Sequence, residues 1–446
     1  MCCGLVGGMR SSSTFIDRVL GSPSGLNLKL VQAVTLLIAL QGACAHAGET
    51  EFVRSLREVA LAYPQTLAAA RELNATAREQ DAARWQRYPT PSFQGQTPAN
   101  GQGYQRINTL VVEQPVYAGG RITAGIEAAE AREKAARSRH LQVMEDTSIR
   151  IVNIWHEWLR NQARQAVLQD SVVAHGKLKD QIQRRVANGV SPPSDLTLAA
   201  ARLSQAQTEF AQAQSATRTS HAQLVQLTGT RLAEFTSNVM RSHAADGPSY
   251  PPPPQWRQLA LERDPQLTRL TAELDALAAD IRVKQGQVLP SVSLRFEHDL
   301  TSRQQYTGVN SDSRLLLQVN AQPGAGLSAL AGIDAAVARR EAAIETRRST
   351  VLELEQQLDI DFADHAAALD RLEVAKLLEQ STQDVADSYA RQFVAGRKSW
   401  LDVLNAVREA VSARLSIHDA QALLGQTWWR LRLRALGLTP EAEASS

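Results

Sequence analysis

Little in this 446-residue chain is arranged to make or break bonds. Its nine histidines are scattered, and none forms an HxxxH or HExxH pair that could hold a metal. No Ser/His/Asp set and no carboxylate pair stands out, so no catalytic residue, metal site or enzyme activity is assigned. Gly324-Ala325-Gly326-Leu327-Ser328-Ala329 imitates a dinucleotide-binding GxGxxA. That fingerprint needs a second parallel strand roughly 20 residues on, carrying an acid. Here the pattern stays helical for roughly 70 residues. No cofactor is expected, and Gly324 and Gly326 serve a turn from strand to helix.

Charges gather instead at two turns. Tyr389–Arg414 reads as a helix end, a tight turn at Gly396 and a new helix opened near Ser399, with Arg397, Lys398 and Asp402 around it. Arg184–Gln207 says nearly the same thing earlier in the chain. Gly189 answers Gly396, and Asp195 answers Asp402. Ser194 or Asp195 is expected to cap the first returning helix. Asp402, in a first helical turn, gains about 0.3–1 kcal/mol from the helix dipole.

The elements that carry these turns are long. From Gly119-Gly120-Arg121 no helix stop appears until Asn188-Gly189, about 67 residues or roughly 100 Å. Val152, Leu159, Ala166 and Val173 recur at sevens, as a packing seam against another long helix would. Ile344, Val351, Leu358 and Leu372 do the same later on. Extended segments precede each long helix. The clearest is Val288–Thr301, where Val292, Leu294, Phe296 and Leu300 alternate with Ser293, Arg295, Glu297 and Asp299.

The order is thus built twice. Repeat 1 covers 48–229, with a helix, a β-hairpin at about 91–116 and a helical hairpin over 121–228. A Pro-rich linker spans 230–256. Repeat 2 covers 257–437, with a β-hairpin at about 290–322 and a helical hairpin over 327–436; 438–446 is a frayed tail. The fold class is mainly α with a small β part. Four strands can span a membrane only in a closed barrel, which one chain cannot complete, so the chain must oligomerise.

Residues 1–47 read as a signal peptide: Arg10, Arg18 and Lys29 precede the apolar run Leu30–Leu40, and Ala45-His46-Ala47 fits cleavage after Ala47. All three cysteines (Cys2, Cys3 and Cys44) leave with it, and a lipidated Cys44 is the competing reading. Net charge is +2, with basic and acidic residues interspersed, which gives no case for nucleic acid.

Two motifs at these places carry a resemblance: Glu113-Gln114-Pro115-Val116-Tyr117-Ala118-Gly119-Gly120-Arg121, and Phe393-x-x-Gly396-x-x-Ser399-x-x-Asp402-Val403-Leu404-Asn405-Ala406. With the duplicated plan, the chain resembles the TolC-type outer-membrane channel family over roughly Glu51 to Gly437. The resemblance implies a homotrimer with a 12-stranded barrel in outer-membrane lipid and an α-helical tunnel through the periplasm. It implies a periplasmic adaptor and an inner-membrane ABC or proton-driven pump as partners. At the tip, Phe393 takes the family's aromatic place, Lys398 its basic place and Asp402 its first carboxylate. Asn405 replaces the second, and Ser194-Asp195 takes the corresponding place in repeat 1. In a trimer Asp402 would form a carboxylate ring, which favours cations. The second tip is worded more like secretion-type members, so type I protein secretion is preferred over multidrug or metal efflux. A periplasmic coiled-coil adaptor is the rival from another class.

Overall fold

The computed structural model describes residues 52–96, 107–229, 251–300, 313–321 and 328–438. The signal sequence with Ala47 and Cys44, the stretch with Gly324 and Gly326, and most of the linker lie outside these residues. Helix α1 covers residues 52–62. It is followed by α2 (Pro64–Trp85), β1 (Thr90–Gln96), β2 (Ile107–Tyr117), α3 (Arg121–Ala187) and α4 (Pro193–Thr228). The second half gives α5 (Gln255–Arg263), α6 (Pro265–Val288), β3 (Ser291–Asp299), β4 (Ser313–Asn320), α7 (Ser328–Val394) and α8 (Trp400–Leu436). Both α3 and α7 are described over 67 residues. The helix after the linker starts at Gln255 and breaks at Asp264, whose carboxylate accepts from the Leu267 N–H (2.7 Å) and caps α6.

The helices lie in a row. Towards the tips the order is α4–α3–α8–α7; towards the sheet it is α2–α3–α6–α7. Core side chains gather at mid-length, where α1 and α5 dock. Phe52, Leu56 and Val59 of α1 pack with Ile151 and Trp155 of α3, Leu224 of α4 and Trp429 of α8. Trp256 of α5 packs with Leu358 of α7 and Leu431 of α8. Trp429 is thus core, and Trp428 packs partly buried against both clusters.

The heptad seam needs correction. Val152 is buried and Leu159 half-buried, but Ala166 and Val173 are exposed. A straight helix has 3.6 residues per turn and drifts about 20° per heptad, so positions seven apart rotate out of a seam. Leu168, Ser171, Leu178 and Ile182 take over. No helix among the described residues is long and apolar enough to cross a membrane.

One half-buried carboxyl on α3 makes stability depend on pH. Burial pushes the Glu145 pKa up to about 8; Asp264 and Asp146 add to this and Arg434 opposes it. The folded chain keeps this proton to about pH 8, whereas the unfolded chain releases it near its ordinary 4.5. Stability therefore falls as pH rises from about 4.5 to about 8. Glu145→Gln is expected to raise the melting temperature at pH 8 and leave it unchanged at pH 4. The gain is on the order of 1–3 kcal/mol after allowing for its partial exposure. An equal gain at both pH values would assign the effect to packing.

Candidate functional site

The four strands form one antiparallel sheet in the order β1-β2-β3-β4. Register decides which side chains share a face. Leu294 pairs with Leu317 and with Gln114, Phe296 with Leu315 and Val112, and Leu110 with Phe93. This face is therefore mostly apolar, and it is the exposed one: Leu317 is 68% accessible and Phe93 64%. The opposite face carries Glu113 beside Arg295, Glu297 beside Arg314, and Thr109 beside Asp299. Here the Glu297 carboxylate accepts from Arg314 (2.7 Å) and forms an ion pair with Arg295 (2.7 Å), and the Thr109 hydroxyl donates to Asp299 (2.7 Å). Ser293, Arg295 and Glu297 are more covered than Leu294 and Phe296. That polarity is the reverse of a sheet packed on a water-soluble core. Val111, Pro115 and Leu316 on the polar face, and Gln114, His298 and Ser313 on the apolar one, are among the exceptions.

The turn from β2 into α3 is set by Gly119 and Gly120, with φ of 60° and 80°. Both lie in the left-handed region that glycine enters without strain. Gly120 is the N-cap, and Gly119 lies against Gly286 near the end of α6. Gly286 carries no sequence signal beyond being a glycine late in a helix, and the sequence reading passed over it.

The two tips are copies in their backbone. In the first, the N–H of Gly189 donates to Val186 O (3.0 Å) and that of Val190 to Arg185 O (2.8 Å). In the second, Gly396 donates to Phe393 O (3.0 Å) and Arg397 to Gln392 O (2.9 Å). Each is a Schellman closure with glycine at positive φ, 71° and 75°. The returning helices start differently. Ser399 and Asp402 make a full capping box: the Ser399 hydroxyl accepts from the Asp402 N–H (3.2 Å), and the Asp402 carboxylate accepts from the Ser399 N–H (3.3 Å) and hydroxyl (2.9 Å). In repeat 1 the N-cap is Pro192, with no side-chain cap bond. The expectation that Ser194 or Asp195 caps is corrected. Proline at N-cap and N1 fixes the backbone entry without a side-chain acceptor, leaving Asp195 half-exposed in the first turn.

Phe393 is buried, 5% accessible, among Leu178, Ile182, Ala199, Trp400 and Leu404. It joins the two hairpins, and the Arg185 guanidinium lies 5.0 Å from its ring centroid. The Lys398 ammonium sits 4.3 Å over the Tyr389 ring. Ser194 and Asn405 are exposed and Asp402 half-exposed. Arg185 was not foreseen as a partner of Phe393, because stacking between turns some 200 residues apart leaves no local pattern; Tyr389 partners Lys398 within its own turn. Among the described residues, no group of three or more His, Cys, Asp or Glu could hold a metal.

Comparison with known proteins now has this geometry to act on. A family model described as outer membrane efflux protein matches residues 56–230 and 256–437. The cobalt-zinc-cadmium resistance protein CzcC of Cupriavidus metallidurans is 26% identical over 329 residues, 72% of this chain and 75% of CzcC. Among solved structures, the outer-membrane channel OprN superposes with a TM-score of 0.72 at 19% identity, covering 87% of this chain and 91% of OprN. The outer membrane protein VceC of Vibrio cholerae gives 0.71 at 17% identity, covering 86% and 96%.

Proposed function

The chain belongs to the outer membrane efflux protein family, and from that premise we propose that three copies form an export duct. Their sheets would close into a 12-stranded barrel in the outer membrane, and their helices into a tunnel through the periplasm. The reversed polarity of the sheet carries this reading: an apolar face turned out to lipid and a charged, hydrogen-bonded face turned in to water. β1 and β4 are the sheet edges, which only another copy can pair without leaving edges in lipid. The flanks of the helical row support the same closure. Leu330, Val337 and Ile344 of α7 recur at sevens and are exposed, as a seam awaiting a neighbour's α2 or α4 would be. A periplasmic adaptor and an ABC or proton-driven pump would deliver the cargo.

The cargo is proposed to be small solutes rather than protein. A relative that aligns over most of the chain bears the name of a metal-resistance protein, and the secretion reading rests mainly on the wording of the second tip. Deleting the gene and assaying metal tolerance, drug tolerance and exported protein decides this. Lost secretion with unchanged tolerance would reverse the choice.

The membrane assignment is tested by face. Leu317→Arg puts a charge on the lipid side, at a cost of about 2–4 kcal/mol near the bilayer midplane. It is expected to remove heat-modifiable trimers from the outer-membrane fraction. Gln318→Arg, next along the strand on the other face, is expected to leave them. Equal tolerance of both, or a soluble periplasmic monomer, would sink the barrel.

A further inference from the structure

The geometry points to a periplasmic mouth that prefers anions, set by a basic collar on the two helical tips. This rests on the duct reading above and runs against the cation preference expected of an Asp402 ring. From Arg184 to Leu198 and from Arg391 to Asn405, two windows at the same place in each repeat, the cations are Arg184, Arg185, Arg391, Arg397 and Lys398. The carboxylates are Asp195 and Asp402. Five against two leaves +3 for each chain, and three chains triple it. Helix dipoles do not alter the sum: two N-terminal and two C-terminal half-charges meet here and cancel.

The cations are available. Arg184, Arg391 and Arg397 are exposed, and among the described residues none of the five has an ion-pair partner. Arg185 and Lys398 are held against rings, which orients their charges without neutralising them. Asp402, by contrast, already accepts two bonds in its capping box. The polar face of the sheet has the opposite balance, with Arg295 and Arg314 against Glu113, Glu297 and Asp299. An anion preference therefore has its source at the tips. It applies to passive passage through the mouth, where rings of Arg and Lys favour anions. Cargo handed over by a pump is a separate matter, so the metal-resistance name of one relative does not conflict.

The test is a reversal potential across a planar bilayer holding the full-length trimer, under a potassium chloride gradient. Chloride is expected to be the more permeant ion. Arg391→Glu with Arg397→Glu, at exposed side chains without ion pairs, takes each chain from +3 to −1 and is expected to shift the reversal potential to the potassium side. Wild-type pores that prefer potassium overturn the anion preference alone. Chloride preference in both proteins overturns the role of the collar. No conductance from either overturns the duct reading and this inference with it.

Discussion

Gly286→Ala is expected to destabilise the protein by about 3 kcal/mol and to deplete the assembled trimer. A methyl group at Gly286 would lie 2.7 Å from Gly119 O and 3.0 Å from Arg121 N, both backbone atoms. Gly119 is equally confined, with Gly286 O at 2.7 Å and Leu289 Cβ at 2.8 Å from the corresponding point. No side chain can swing aside, so α6 must move off the turn between β2 and α3. That turn sets how the strands leave the helices, and in a barrel the error would be repeated three times. The intrinsic gain of about 1 kcal/mol for alanine over glycine in a helix does not cover the clash. Gly125→Ala is the control: it is also helical, nothing lies within 4 Å of its added methyl, and it should keep the propensity gain. The midpoint of urea unfolding for the two variants decides. A Gly286→Ala protein as stable as Gly125→Ala would show that the close approach is not maintained.

Much of this architecture was legible because it is periodic or repeated. Alternation at Val292–Leu300 located β3, helix stops at Asn188 and Gly396 located both tips, and the duplication checked one against the other. The helix start near Ser399 was legible from its own local sequence, but the capping box there has no counterpart in the first repeat and was not read. What could not be read is what depends on distant partners. The face of α3 buried at each level drifts with helix geometry, so a strict heptad misplaced Ala166 and Val173. Phe393 was assigned to the gate by its place in a motif; only the packing of both hairpins shows it enclosed with Ile182 and Trp400. Asp402 drew attention as a carboxylate near a turn. The unpaired arginines around it outnumber it, which a search for family positions does not count.

The second large effect is expected at Asp361, a residue that no local pattern marks. It sits on α7 at mid-length, 0% accessible, beside the cluster of Trp256, Leu358 and Leu431. Its carboxylate forms an ion pair with Arg430 (2.9 Å) and accepts from Gln357 (3.2 Å), and Arg434 lies 3.7 Å away. Desolvation pushes its pKa up from the ordinary value, and the two guanidiniums pull it back. Such a cluster adds little net stability when intact, because removing charges from water offsets their attraction. Breaking it is another matter. Asp361→Ala would leave two mostly covered arginines facing a void, at a cost of about 3–5 kcal/mol. Asp359, two residues earlier on the same helix, supplies the contrast. It pairs with Arg257 at 2.8 Å, but both side chains are about half exposed, at 56% and 49%. Its alanine variant should cost under about 1 kcal/mol. Replacing Asp361 by leucine and Arg430 by methionine together should recover most of the loss, since Arg434, left in place, still faces Glu145, Asp146 and Asp264. The temperature at which the trimer dissociates would be compared for all three proteins. Equal losses for Asp359→Ala and Asp361→Ala, or no recovery in the double variant, would mean that α7 and α8 are held at mid-length by their apolar contacts alone.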